Sequence, residues 1–376
     1  MVEIPLAAPD IVEDDIAAVV DVLRTPRLSL GPVAERFEHE VAAYVGVSDA
    51  VAVSSGTAGL HLALQALGIG LGDEVIVPSF AFIAVASAVR YVGAHPVFAD
   101  IDAETLILDP RSVEAAVTLR TRAIVAVHTF GRPADMRALM EVAARHQLLV
   151  IEDACEAIGA EIDGQRVGSF GDAGVFGFYP NKQISTGEGG MVVTSHSDAA
   201  RRMRALRNHG RYESPGASGG GAQDHAELGF NYRLTEMQCA LGLSQLHRID
   251  EILARREAIA RSYCERLSGN PRLQLPPTEV AGQRLSWFVF VVRLAQPWPD
   301  RDHVMQLMEE AEIATGRYFA PIHEQPAYAA WSGAGSLPVS EAVSKRTLAL
   351  PFFNRMTGDQ IERVCTALEN ALRVEM

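Results

Sequence analysis

Short apolar runs alternate with helical stripes through the first half of the chain. Asp49–Val53, Glu74–Pro78, Pro96–Asp100, Arg122–His128 and Leu148–Glu152 are near-continuous Val, Ile and Ala runs, the pattern of strands covered on both faces. Between them the period changes to that of helices, at Glu35–Val45, Leu60–Leu67, Ile83–Val92 and Ala134–His146. Ile11, Ile16, Val19, Val20 and Leu23 mark a helix over 11–24, and Thr25–Pro32 reads as turns. The alternation predicts an α/β domain around a mostly parallel sheet.

The pattern then shifts. Apolar runs at Ala173–Phe178 and Met191–Thr194 flank a glycine-rich turn, and 213–224 reads as a linker or closing loop. Leu234–Leu267 predicts one long helix or two in series, with Leu234, Met237, Leu241, Ile249, Ile252 and Ile259 as core candidates and a bridge between domains as its role. After Pro276-Pro277 a strand (Trp287–Leu294) and helices (Asp302–Ala311, Asp359–Leu372) predict a smaller α+β domain. A length of 376 residues also exceeds one compact core. The expected division is an N-terminal segment, 1–30, packing near the small domain; a large domain, 31–245; and a small C-terminal domain, 246–376.

Composition narrows the classes. A net charge of −14 argues against nucleic acid as a partner, and an anionic substrate would need a local cationic patch. The four cysteines form no CxxC pair, so no metal is expected; all four read as small buried hydrophobes of a reducing compartment. No membrane association is expected, and the start of the chain lacks a signal-like pattern, so the cytoplasm is the expected location.

Five segments could carry chemistry. Lys182, in Tyr-Pro-Asn-Lys-Gln-Ile-Ser-Thr-Gly-Glu-Gly-Gly, sits between two apolar runs at the edge of a core. A lysine there either snorkels to water or is a desolvated amine able to form a Schiff base. Ser54-Ser55-Gly56-Thr57-Ala58-Gly59, between strand and helix, is an anion site or an ordinary N-cap. Ile151-Glu152-Asp153-Ala154-Cys155-Glu156 puts acids at a strand end, where ligands bind in open α/β sheets; Asp153 would also serve as an N-cap. Pro78-Ser79-Phe80-Ala81-Phe82 offers an aromatic that could stack on a planar group or fill a core. Arg207-Asn208-His209-Gly210, Asn231-Tyr232-Arg233 and Gly316-Arg317-Tyr318-Phe319-Ala320-Pro321-Ile322-His323 add cations and histidines; Arg317 is equally a salt-bridge residue.

Taken together, these motifs resemble the DegT–StrS family of sugar-nucleotide aminotransferases, within the fold type I enzymes that use pyridoxal 5′-phosphate (PLP). Asp-Glu-Val-Ile-Val-Pro-Ser-Phe, Arg-Asn-His-Gly, Asn-Tyr-Arg-Leu-Thr-Glu and Pro-Ile-His-Glu-Gln-Pro-Ala-Tyr extend the likeness along nearly the whole chain. The resemblance implies roles. Lys182 would carry PLP as a Schiff base and move protons. Asp153 would pair with the pyridine nitrogen, Gly56 and Thr57 would hold the phosphate, and Phe82 would stack on the ring. Asn231 would reach the cofactor of the neighbouring subunit, making a homodimer with shared sites. Glu156 stands where many relatives have glutamine near the ring hydroxyl, Gly177 where many have serine, and Tyr179 where many have histidine. These departures are similar to a perosamine synthase-like subgroup. Tyr179, His209, Arg317 and His323 are the candidate substrate contacts.

The implied reaction is ping-pong transamination from an amino acid, glutamate above all, to a nucleotide-linked 4-keto-6-deoxyhexose, with pyridoxamine phosphate (PMP) between the half-reactions. Such a reaction serves deoxyaminosugar synthesis for polysaccharides or antibiotics. Cyclitol ketones (inososes) and 3-keto sugars are alternative acceptors, and a non-catalytic regulatory protein is a third reading. Lys182, in place of the histidine of related dehydratases, points to amino transfer.

Overall fold

A computed structural model describes residues 3–212, 225–295, 300–328 and 335–373. The 213–224 segment lies outside the described residues. The central sheet has seven strands: β1 (Asp49–Val53), β2 (Glu74–Pro78), β3 (His95–Ala99), β4 (Thr121–Val127), β5 (Leu149–Asp153), β8 (Ala173–Gly177) and β9 (Gly190–Thr194), in the order β1-β9-β8-β5-β4-β2-β3. The β9 strand pairs antiparallel with both of its neighbours, and every other pairing is parallel. Six strands therefore end at one edge, and β9 begins there. All the loops that could hold a ligand leave from that edge.

Alternation along the strands supplies two cores. Val51, Val53, Val75, Val77, Ile151, Val175 and Val192 face α3 (Gly56–Ala66), α4 (Ala84–Tyr91) and α7 (Ser197–Leu206). On the other face, α2 (Pro32–Val45) and α8 (Glu236–His247) cover the β1–β9 end, while α5 (Pro110–Ala116) and α6 (Met136–His146) cover the β2–β5 end. Buried Glu236 anchors the start of α2: its carboxylate accepts from the amides of Gly31, Val33 and Ala34 at 2.9–3.1 Å. A small three-stranded sheet joins β6 (Glu161–Ile162), β7 (Gln165–Arg166) and β11 (Gln283–Arg284).

The predicted 234–267 helix is two helices. The break comes at Arg248, whose φ of −114° is not helical, and α9 (Ile249–Leu267) follows. Ile252 and Leu253 pack under the central sheet, whereas Ile259, Tyr263 and Leu267 pack in a separate core, so α9 spans both. Met237 and Leu241, expected in the core, are only partly buried. The second core is built on β10 (Leu273–Gln274), β12 (Phe290–Leu294) and β13 (Thr347–Leu350), with α10 (Arg301–Glu310), α11 (Pro338–Ser344) and α12 (Gly358–Arg373) alongside. The β12 strand begins three residues later than the apolar run implied, because Trp287 has a φ of 49° and breaks the extended chain.

The N-terminal segment contacts both cores. Ile4 bridges to Ile313 in the second core, while α1 (Glu13–Leu23) lies against α8. Asp10 ties the chain start to α9 and to residues 354–355. Burial alone would raise its carboxyl, but hydrogen bonds from Arg248, Arg355 and Asn354 outweigh it and lower the pKa to about 2. The apolar stripe of α1 points outward: Ile16, Val20 and Leu23 are 47%, 36% and 56% exposed. Among the described residues no helix is long and apolar enough to cross a membrane.

Candidate active site

The sheet edge opens into a cavity of about 480 Å³ between the two domains. Its floor is the loop between β8 and β9. The amide of Phe178 donates to Gly189 and that of Thr186 to Phe178, each at 2.9 Å. Gln245 on α8 brackets Ser185, accepting from its amide and donating to its carbonyl at 2.9 Å. The loop is thus pinned from below, and Lys182 rises from it into the cavity. Lys182 Nζ stands 3.6 Å from Glu156 Oε1 and 3.7 Å from the centre of the Phe288 ring. Its side chain is only 14% exposed. This is a partly desolvated amine rather than a snorkelling one.

Three groups follow β5. Buried Asp153 accepts the Cys155 amide on Oδ1 at 3.1 Å, a short-range turn that aims the carboxylate along the cavity wall. Buried Glu156 accepts the Phe130 amide on Oε2 at 2.9 Å, which leaves Oε1 towards Lys182. Burial pushes the Glu156 carboxyl above the usual carboxylate range, and the Lys182 charge offsets this only in part. The Cys155 thiol is pushed up by burial and by the Asp153 charge. Cys155 lines the cavity, so it is a wall residue and not the buried filler expected from sequence.

The start of α3 forms the opposite end. Ser55 caps Ala58 at 3.0 Å, and the amides of Gly56 and Thr57 lie in the first turn, where no helical acceptor exists. The N-cap reading holds, and the cap leaves Gly56 and Thr57 at the cavity lining. A Cβ on Gly56 would lie 2.6 Å from Cys155 Sγ, so only glycine lets that thiol pack so close to the helix start. Phe82 and Tyr179 line the cavity with 59% and 53% of their surface exposed.

The other candidates stand elsewhere. His209 is exposed, in a left-handed turn with φ of 61°, and its amide donates to the Phe230 carbonyl. Asn231 is exposed and bridges to Asn208, outside the cavity of its own chain. Arg317 pairs with Asp302 at 3.0 Å and is not among the lining residues, which supports the salt-bridge alternative. His323 is buried: Nδ1 shares a 2.6 Å hydrogen bond with Ser79, and Nε2 lies 3.4 Å from Glu341. His323 thus joins the loop after β2 to α11 and is not among the residues lining the cavity.

Several lining residues were not singled out from sequence: Asn181, Glu188, Phe288, Tyr318 and Phe319. Tyr318 and Phe319 adjoin Arg317, so this segment lines the cavity through its rings and not through its charge. Asn181 Oδ1 is buried with no partner among the described residues, a free acceptor at the cavity wall.

The comparisons agree with this geometry. The model of the DegT/DnrJ/EryC1/StrS aminotransferase family matches residues 9–369. GDP-perosamine synthase of Caulobacter vibrioides is 42% identical, covering 98% of each chain. The UDP-N-acetyl-3-dehydro-alpha-D-glucosamine 3-aminotransferase of Acidithiobacillus ferrooxidans is 40% identical, covering 96% of this chain and 94% of that one. Among solved structures, the protein named as sugar aminotransferase Spr1654 of Streptococcus pneumoniae, in its PMP form, is 27% identical with a TM-score of 0.93, covering 98% of this chain and all of that one. The same protein was solved in a PLP form.

Proposed function

Because the chain belongs to the DegT/DnrJ/EryC1/StrS aminotransferase family, which works with PLP, we propose that it moves an amino group from glutamate to the C4 ketone of a nucleotide-linked 6-deoxyhexose. The observation that carries this reading is Lys182 Nζ, held in a cavity that also contains Asp153 and the open first turn of α3.

The residues present fit the cofactor. The first turn of α3 suits a phosphate, and Gly56 lets Cys155 pack against that turn, since a Cβ there would meet its Sγ at 2.6 Å. Asp153 would pair with the ring nitrogen, Phe82 would cover one ring face, and Glu156 would lie near the ring hydroxyl. When bound, PLP supplies an electron sink for the amino-bearing carbon. Lys182 Nζ would take the proton from that carbon and hold it in the cavity until it is given back, with Glu156 Oε1 3.6 Å away. Phe288, Tyr318 and Phe319 exclude water from this exchange.

A homodimer with shared sites is part of the proposal. Ile16, Val20, Leu23, Leu28 and Leu30 are exposed on one continuous segment, and Leu28 is fastened to the start of α8 by the Glu236 amide. Gln238 on the same turn of α8 donates to the carbonyl of Glu188, which lines the cavity. An apolar face so close to the cavity suits a second copy, whose Asn231 would complete the site. Leu23→Glu should yield a monomer by light scattering.

The chemistry is tested by adding glutamate to the PLP-loaded protein and following cofactor absorbance. No shift would sink the aminotransferase reading of this site. A panel of 4-keto and 3-keto nucleotide sugars and inososes then locates the amination. The second relative, a 3-aminotransferase only slightly less identical than the first, makes C3 the competing outcome.

A further inference from the structure

A second cavity, of about 350 Å³, lies on the seam between the domains. It shares Phe130 and Trp287 with its surroundings but none of the groups assigned above to PLP. One wall is the 129–132 turn after β4. The other comes from Val289, from Val291 and Arg293 on β12, and from Leu275 to Pro277. Its surfaces are largely apolar, with two guanidiniums, Arg132 and Arg293.

Those two arginines are unusual for this chain. With 47 acidic against 33 basic residues, most arginines here find a carboxylate. Among the described residues Arg132 and Arg293 have none within ion-pair distance, and neither has Arg346, which adds its positive field to Arg293. Arg132 Nε is buried with no hydrogen-bond partner among the described residues, as is Arg346 Nε. Arg293 is 7% exposed; Nη1 donates to the Ala103 carbonyl and Nη2, weakly at 3.5 Å, to the Glu104 carbonyl, neither of which carries a counter-charge. The nearby acids do not neutralise them. Asp102 is engaged by the Glu104 and Thr105 amides and the Thr105 hydroxyl at 2.9–3.0 Å, and Glu104 is exposed on the rim. Burial without a counter-charge makes both cations easier to deprotonate than an ordinary arginine. Such desolvation is costly until an anion arrives.

We infer that the seam cavity is a binding site for a small organic phosphate, whose anionic head is held between Arg132 and Arg293 and whose apolar body lies along Leu275–Pro277 and Val291. A volume of about 350 Å³ suits a one-ring body with its head group. The occupant would touch the turn after β4 in one domain and β12 in the other. It is independent of the acceptor sugar proposed above.

The test uses PLP-loaded protein, so that the cofactor phosphate site is filled, and titration calorimetry with phenyl phosphate. Saturable binding is expected, weakened at least about tenfold by Arg132→Gln, the usual effect of losing a charge-assisted hydrogen bond. Arg201→Gln, at an exposed arginine on α7, should leave it unchanged. Inorganic phosphate should bind more weakly, since it lacks the body, and benzoate more weakly, since it carries one charge. No saturable binding in the millimolar range overturns the site, as does equal affinity in Arg132→Gln at an unchanged melting temperature. Benzoate binding as tightly as phenyl phosphate overturns the phosphate assignment, and inorganic phosphate doing so overturns the apolar contact.

Discussion

On the large-domain side of the active cavity, each polar group is set by backbone. Asp153 ends a strand and accepts the amide two residues on, Gly56 and Thr57 open a helix, and Lys182 stands on a loop clamped by Gln245. On the small-domain side the wall is aromatic: Phe288, Tyr318 and Phe319 are held by packing against one another and against Phe130. Proton transfer and charge placement need positions fixed to fractions of an ångström, which strand ends and helix starts supply. Shape and water exclusion tolerate more, and packed rings suffice. Substitutions of Lys182 and Asp153 in the first wall should therefore change turnover, and those in the second should change affinity for the sugar.

Lys182→Ala is the sharpest test of the first half of that contrast. It removes both the proton carrier and the covalent anchor, and turnover should fall by ~10³-fold or more. PMP, which needs no anchor, should still bind, as judged by retained absorbance after gel filtration. Persistent turnover would break the contrast outright. Asp153→Asn keeps shape and loses charge. Turnover should fall by about 10²-fold with little change in KM, the signature of an interaction made in the transition state.

How much of this was legible follows the same division. Strand ends are written in local sequence, because an apolar β run must stop where its acids and glycines begin. Asp153, Gly56 and Lys182 could be placed from their neighbours alone. The small-domain wall could not, since an aromatic residue in a strand or loop reads equally as core, and only the packing of distant segments turns Phe288 and Tyr318 to the cavity. Charge alone leaves a residue's partner open for the same reason. Arg317 and His323 stood out in sequence, yet their partners Asp302, Ser79 and Glu341 are reached only through the fold. The outward stripe of α1 was legible as a helix but not as a surface, because periodicity gives a face and not what covers it.

Gly56→Ala probes the cradle between the walls. The added Cβ would meet Cys155 Sγ at 2.6 Å, so the thiol or the first turn of α3, which would carry the phosphate, must shift. PLP affinity should drop about tenfold by fluorescence titration, a cost in the range of modest overpacking. Cys155→Ala on top of it should restore most of the loss, since it removes the atom in the way. Phe288→Leu tests the aromatic wall. It deletes the ring under Lys182 Nζ, an interaction of about 0.5–2 kcal/mol. KM for the sugar should rise a few-fold while turnover stays within about twofold, and a collapse of turnover instead would erase the distinction between the walls.

The smallest effect is the most diagnostic for Glu156. In the cofactor-free protein its buried carboxyl binds a proton more tightly than it does in the unfolded chain. Its contribution to stability is fully present below the ordinary carboxylate pKa and is lost as pH rises through the raised folded value, because above it the unfolded chain has released a proton that the folded chain must also give up. Lys182 works against this by favouring the charged form, while Asp153 and Cys155 lie on the same turn and Tyr318 faces it from the other wall. Glu156→Gln keeps the shape and removes the titration. Thermal midpoints of the cofactor-free variant, measured from acid to neutral pH, should decline less than those of the native chain over that window. Parallel profiles would mean that Glu156 stays ionised beside Lys182, and the pair would then be a fixed salt bridge, not a site that can exchange a proton with the lysine.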